Sequence, residues 1–202
     1  MAAKFKELVF TDSVHRKQRE YYGVEQNALG ALERDELTDD EKSFIESRDS
    51  FYMATVGETG WPYIQHRGGK VGFLQVVGPN LLVFADFRGN RQMVSTGNLA
   101  TGDRVALFLI DYPRRTRLKI LGHAKVEKIE AFPELASRLA EGETAGTVER
   151  LFIIEVVAFD WNCPQHITPR FTAEEVKEAL LPLQRRIAEL ERELEKARAN
   201  PS

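Results

Sequence analysis

Cysteine is almost missing from this chain: Cys163 is the only one in 202 residues. A lone thiol excludes an internal disulfide and leaves too few sulfur ligands for a cysteine-rich metal centre. The four histidines, at positions 15, 66, 123 and 166, show no metal-ligand spacing. Long apolar runs are also missing, and no stretch approaches the roughly 18 residues of a membrane span. The opening Met1-Ala2-Ala3-Lys4-Phe5-Lys6-Glu7 lacks the apolar segment of a secretion signal, so a cytoplasmic protein is expected. There is no basic excess, since the net charge is -3, and this argues against a general nucleic-acid binder. Finally, no Ser/His/Asp or Cys/His constellation and no acid–base pair stands out. A chain without a protein-borne catalyst leaves the chemistry to a cofactor.

What is present suits one globular core with an appendage. Hydrophobic residues make up 43% and charged residues 29%, ordinary values for a folded domain. Residues 1–45 are polar and helical in character. Thr38 followed three residues later by Glu41 has capping-box spacing, and residues 14–23 read as another short helix ending near Gly23. From Phe51 the pattern turns to strands, at 51–56, 61–67, 71–77, 81–87, 104–112, 117–129 and 151–159. Gly57-Glu58-Thr59-Gly60 makes the first pair a hairpin. Short helices are predicted at 92–99 and 131–140. About six antiparallel strands with few helices between them imply a closed or partly closed barrel, mainly β with α+β character. The domain reading is an extension over 1–45, a barrel over 46–170 and a C-terminal helix over 171–202.

That last helix carries Val176, Leu180, Leu183, Ile187, Leu190, Leu194 and Ala197 at spacings of 4, 3, 4, 3, 4 and 3. This is a heptad seam of about three heptads, with Pro182 expected to kink its first turn. The seam suits a second subunit better than the chain's own barrel.

The most informative segment is Phe84-Ala85-Asp86-Phe87-Arg88-Gly89-Asn90-Arg91-Gln92, where an apolar strand runs into a turn rich in Arg, Gly and Asn. Gly and Asn tolerate positive φ, so successive N–H groups can face one concavity, and arginine's planar fork suits phosphate. Asn90-Arg91-Gln92 also opens the predicted helix at 92–99, whose N-terminus favours an anion. Arg67-Gly68-Gly69 ends another strand, and the glycines allow close approach of a ligand to the backbone. Asp86 is placed to pair with an arginine or to accept a hydrogen bond from a ligand. Arg114, Arg115 and Arg117 form a basic hairpin tip, with Arg117 the one expected to point inward. Asp160-Trp161-Asn162-Cys163-Pro164-Gln165-His166 follows the last strand without periodicity. There Trp161 can pack on a flat ring while Asn162 and Gln165 read its polar rim.

Three ordered motifs carry a resemblance: Ala54-Thr55-Val56 with Gly60-Trp61-Pro62-Tyr63-Ile64-Gln65, then Phe84 to Arg91, then Leu118-Lys119-Ile120-Leu121-Gly122-His123-Ala124-Lys125-Val126. Over roughly residues 45–170 the chain resembles the pyridoxamine 5′-phosphate oxidase-like flavoproteins, especially a branch with Gln-His-Arg-Gly-Gly and Trp-Asn-Cys-Pro-Gln-His elements. The resemblance implies a split-barrel homodimer that binds FMN at the subunit interface. It places Gln65, His66, Arg67 and Gly68 along the flavin, Asn90, Arg91 and Gln92 at the phosphate, and Arg117 beside the cofactor. Trp161 and Asn162 would approach the flavin of the other subunit. Two departures stand out. Asn90 and Gln92 replace the Ser and Lys of the oxidases, and their C-terminal Arg-x-His-Asp element is absent. The expectation is therefore an FMN-binding oxidoreductase acting on an unidentified small molecule. The alternatives are a non-catalytic flavin or haem module, or a reductase using the deazaflavin F420.

Overall fold

The structure, a computed structural model, describes residues 2–26, 33–89, 91–140, 148–161 and 165–199. Its strands are β1 (Ser50–Val56), β2 (Pro62–Gly68), β3 (Gln75–Val76), β4 (Leu81–Phe87), β5 (Arg104–Asp111), β6 (Thr116–Lys128) and β7 (Val148–Trp161). They form one antiparallel sheet in the order β2-β1-β5-β6-β7-β4-β3. The predicted strand at 71–77 shrinks to Gln75–Val76, because Gly72 turns the chain at a φ of 83°. Positive φ favours glycine and ends strand geometry there.

Alternation decides which residues face the core. On β1, Phe51, Met53 and Thr55 are buried while Tyr52 and Val56 are exposed, the period of two that a pleated strand imposes. Phe84 of β4 stacks on Phe152 of β7 at 4.8 Å and meets Phe51 of β1 edge-on at 5.4 Å. In the ladder, β5, β6 and β7 lie between β1 and β4. Phe51 can therefore touch Phe84 only if the sheet curls round, which makes a barrel. β2 and β4 share no ladder, so the barrel is split along that line. At Gly122 the β6–β7 register shifts, and a Cβ there would lie 2.5 Å from the Glu155 carbonyl oxygen.

Among the described residues six α-helices accompany this sheet: α1 (Ala3–Val9), α2 (Asp12–Tyr22), α3 (Asp39–Glu46), α4 (Val94–Thr101), α5 (Pro133–Ala140) and α6 (Ala173–Ala199). The Thr38–Glu41 capping box opens α3, and Gly23 closes α2 in the left-handed conformation at a φ of 72°. The Asp35 carboxylate accepts from the backbone N–H groups of Lys4 (3.0 Å) and Phe5 (3.1 Å), so a distant residue caps α1 where it lies against β7. Leu37 and Ile45 are buried in the main core, which therefore draws on the segment before β1. A second capping pair, Thr172 with Glu175, opens α6, and that helix runs unbroken through Pro182.

Candidate functional site

The split between β2 and β4 is bridged by side chains. Tyr63, Gln65 and Arg67 alternate onto the inner face of β2. Arg67 Nη1 donates to Asp86 Oδ1 of β4 at 2.9 Å. Asp86 lies opposite Arg150 of β7 in the ladder, and its Oδ2 accepts from Arg150 Nε (3.0 Å) and Nη2 (2.8 Å). Asp86 thus holds two cations together, one on each side of the split. The Arg67 guanidinium also sits over the Phe152 ring at 4.8 Å. Burial pulls its pKa below the ordinary arginine value, and the Asp86 carboxylate opposes that pull. Among the described residues its buried Nε has no hydrogen-bond partner.

Above this pair opens a cavity of about 240 Å³, lined by Gln65, Arg67, Asp86, Arg91, Gln92, Ser95 and Arg150 among others. Three arginines against one carboxylate leave its walls net positive. α4 forms the far wall and is anchored to the sheet twice. Ser95 Oγ donates to Gln65 Oε1 at 2.8 Å, and Asn98 Nδ2 donates to Thr55 Oγ1 at 2.9 Å. The helix begins at Val94, not at the Asn90-Arg91-Gln92 turn as the sequence suggested. Arg91 and Met93 both have a φ of 58°, a left-handed conformation that a right-handed helix cannot include. Arg91, Gln92 and Met93 line the cavity instead, with Ser95 and Thr96 supplying the helix's first-turn groups to its lining.

Of the residues predicted for the site, Gln65, Arg67, Asp86, Arg91 and Gln92 come together here. His66 does not, because alternation turns it to the outer face of β2, where its ring packs on Tyr52 at 5.5 Å. Gly68 ends β2 outside the cavity, opposite Ser50. Arg117 lies over the Phe108 ring at 5.7 Å, its buried Nε without a hydrogen-bond partner among the described residues. Trp161 turns inward, packing edge-on against Phe44 and donating its indole N–H to Glu41. Burial opposes ionisation of Glu41, but hydrogen bonds from Thr38 and Trp161 outweigh it and hold the pKa below the usual value. Gln165 is exposed and away from the cavity. Asn90 and Asn162 lie outside the described residues. Tyr63, in the motif that carries the family resemblance, also lines the cavity, while sequence reasoning missed Ser95, Thr96 and Arg150. Arg150 becomes visible only through its register with Asp86.

A larger cavity of about 530 Å³ lies between the ends of β1 and β5 and the start of α6. Its Arg48, Arg114 and Arg170 are matched by Asp49, Asp111 and Glu175, so its charges balance. Asp111 is buried yet accepts from the Arg114 backbone N–H (2.9 Å) and pairs with Arg114 (2.9 Å) and Arg48 (2.8 Å). Burial alone would raise its pKa, but these contacts hold it below the ordinary value. The cavity at the split has an excess of arginine over carboxylate that this larger one lacks, and it is the better anion site of the two. Among the described residues no cluster of three or more metal-ligating side chains occurs, and no helix is long and apolar enough to cross a membrane.

The sequence model of the family described as pyridoxamine 5′-phosphate oxidase matches residues 37–156, more than half of the chain. The chain belongs to this family. No curated protein matches it in sequence. Among solved structures, HupZ of Group A Streptococcus is similar at 18% identity and a TM-score of 0.52, covering 67% of this chain and 99% of its own. A putative pyridoxamine 5′-phosphate oxidase from Lactobacillus delbrueckii shares 19% identity with a TM-score of 0.47, covering 62% of this chain and 93% of that one. An FMN-binding protein from Syntrophomonas wolfei shares 17% identity with a TM-score of 0.43, covering 60% and 83%. At these identities the likeness concerns the fold.

Proposed function

We propose that the chain is an FMN-binding flavoprotein, an oxidoreductase acting on a small molecule, which works as a homodimer in the cytoplasm with FMN at the subunit interface. The observation that carries this reading is the cavity at the barrel split, whose lining sets Arg67, Arg91 and Arg150 against the single carboxylate of Asp86. A phosphate group suits such an excess of arginine. Arg91, Gln92 and the N–H groups at the start of α4 add donors on the opposite wall, and Asp86 holds Arg67 in position.

About 240 Å³ accommodates a phosphate and its adjoining chain but falls below the usual range for a complete cofactor site. A three-ring system must extend past the mouth, where a second subunit can cover it. The outer face of the same strands suits that second subunit. Tyr52, Val56 and Ile64 lie on it, and Ile64 is 66% exposed. His66, Gly68, Arg117 and Gln165 remain proposed as cofactor contacts, and Trp161 and Asn162 as contacts to the flavin of the partner copy.

FMN, when bound, supplies hydride or electron transfer at its ring; no residue of the chain is assigned as catalyst. The chain's own part is to fix the phosphate, orient the ring and exclude water. The oxidases' substrate-binding element is absent, so vitamin B6 oxidation is not proposed. The F420 alternative rested on the Arg114-Arg115-Arg117 tip. Arg114 is engaged by Asp111 and Arg117 by Phe108, and none of the three lines the cavity. The test is FMN titration of the purified protein, read by absorbance, beside F420 and haem. A yellow one-to-one complex is expected, and a colourless protein that takes up no FMN overturns the reading. Turnover with NADH or NADPH then separates an enzyme from a flavin carrier.

A further inference from the structure

α6 is a helix of 27 residues, about 40 Å long at 1.5 Å per residue. Every described side chain on it is exposed except the half-buried Ala188. Val176, Leu180, Leu183, Ile187, Leu190 and Leu194 lie along one stripe and are 44–60% exposed. A helix whose apolar stripe faces water gains nothing from that stripe and needs a partner surface.

We propose that α6 pairs with α6 of a second copy as a parallel, in-register, two-stranded coiled coil. The seam places Leu180, Ile187 and Leu194 at the a positions, and Val176, Leu183 and Leu190 at the d positions. In the central layers the β-branched Ile187 at a lies between Leu183 and Leu190 at d, the arrangement that favours two strands. The flanking charges choose the orientation. In a parallel pair each g residue faces the e residue five positions on in the partner. Here Arg186 at g faces Glu191 at e, and Glu193 at g faces Arg198 at e. By symmetry every such pair occurs twice, so all four charged residues meet opposite charges.

Antiparallel pairing sets g against g and e against e. Over the same seam it leaves either Arg198 against Lys177 or Arg186 against its own copy. Within the chain Arg186 reaches only Glu189 (3.1 Å) and Glu193 (4.0 Å) of its own exposed helix. Such surface pairs are weak and readily exchanged. Pro182 falls at position c, on the far side from the seam, so its missing N–H does not disturb the contact.

The inference does not depend on flavin binding, and disulfide trapping tests it in the full chain. Cys163→Ser removes the native thiol, and Leu194→Cys then places one thiol near the end of the seam. In the parallel register equivalent Cα atoms approach within disulfide range, about 4.4–6.8 Å. Mild oxidation should convert most of this protein to a covalent dimer that reductant reverses. Leu181→Cys, at the outward b position, should stay monomeric on the same gel. The proposal is overturned if Leu194→Cys does not cross-link to itself, or if it cross-links only to chains carrying Leu183→Cys or Val176→Cys. It is overturned equally if Leu181→Cys traps the dimer as well. FMN uptake measured on the same samples keeps the two readings apart. A cross-linked protein that takes up no FMN retains the coil and loses the flavoprotein assignment.

Discussion

Arg91 offers the sharpest test of the phosphate site, because its side chain and its backbone make separate predictions. Its guanidinium lines the cavity, while its φ of 58° lies in the left-handed region that disfavours any residue with a Cβ. Removing a charge-assisted hydrogen bond to phosphate costs about 1.5–3 kcal/mol. Arg91→Ala should therefore weaken FMN binding about 10- to 150-fold. Arg91→Gly removes the same fork but relieves the backbone, which is worth about 1 kcal/mol to the folded state. In a chain of this size that corresponds to a Tm rise of about 2–4 °C. The expected pair of results is an equal loss of affinity in both variants, measured by fluorescence titration, with Arg91→Gly melting higher than Arg91→Ala. A general misfolding effect cannot produce that combination. If both variants bind FMN as tightly as the parent, the phosphate does not sit at this corner and the site assignment fails.

Asp86→Asn should destabilise the fold by about 2–3 kcal/mol, below the 3–5 kcal/mol of a fully buried pair, since Arg67 and Arg150 keep some exposure. An unchanged urea midpoint would refute the idea that this pair holds the split closed. The same variant raises the cavity's positive charge, so inorganic phosphate should inhibit FMN binding at least as strongly as in the parent protein. Glu41 and Asp111 both have folded-state pKa values below their ordinary ones. Their contribution is complete above the ordinary carboxylate range and is lost as pH falls through the depressed values. Acid titration of Asp111→Asn should accordingly show a shallower loss of stability than the parent, and identical acid curves would remove Asp111 from the account. Gly122→Ala forces a Cβ against the Glu155 carbonyl oxygen and should cost about 3 kcal/mol, read as a lower Tm.

The strands were legible because their apolar residues alternate with the pleat, as in Phe51-Tyr52-Met53 and Leu118-Lys119-Ile120. The α3 cap and the Gly23 stop were legible because capping chemistry is local. Gln65, His66 and Arg67 are neighbours in sequence, and the strand places the middle one on the face opposite the other two, which only alternation along β2 reveals. The helix after Gln92 was started too early, because residue identity does not announce that Arg91 and Met93 adopt positive φ.

The amino-acid order alone determined the antiparallel barrel, its family, the basic Arg91 corner and the heptad seam of the last helix. Each depends on local periodicity or on a contiguous motif, so the information lies within a few residues. Tertiary structure alone decided that Asp86 clasps Arg67 from 19 residues away and Arg150 from 64. It also decided that Arg67, Arg91 and Arg150 line one cavity and that α6 leaves its seam in solvent. Those outcomes depend on sheet curvature and ladder register, which arise only when distant segments compete to bury the same apolar surface.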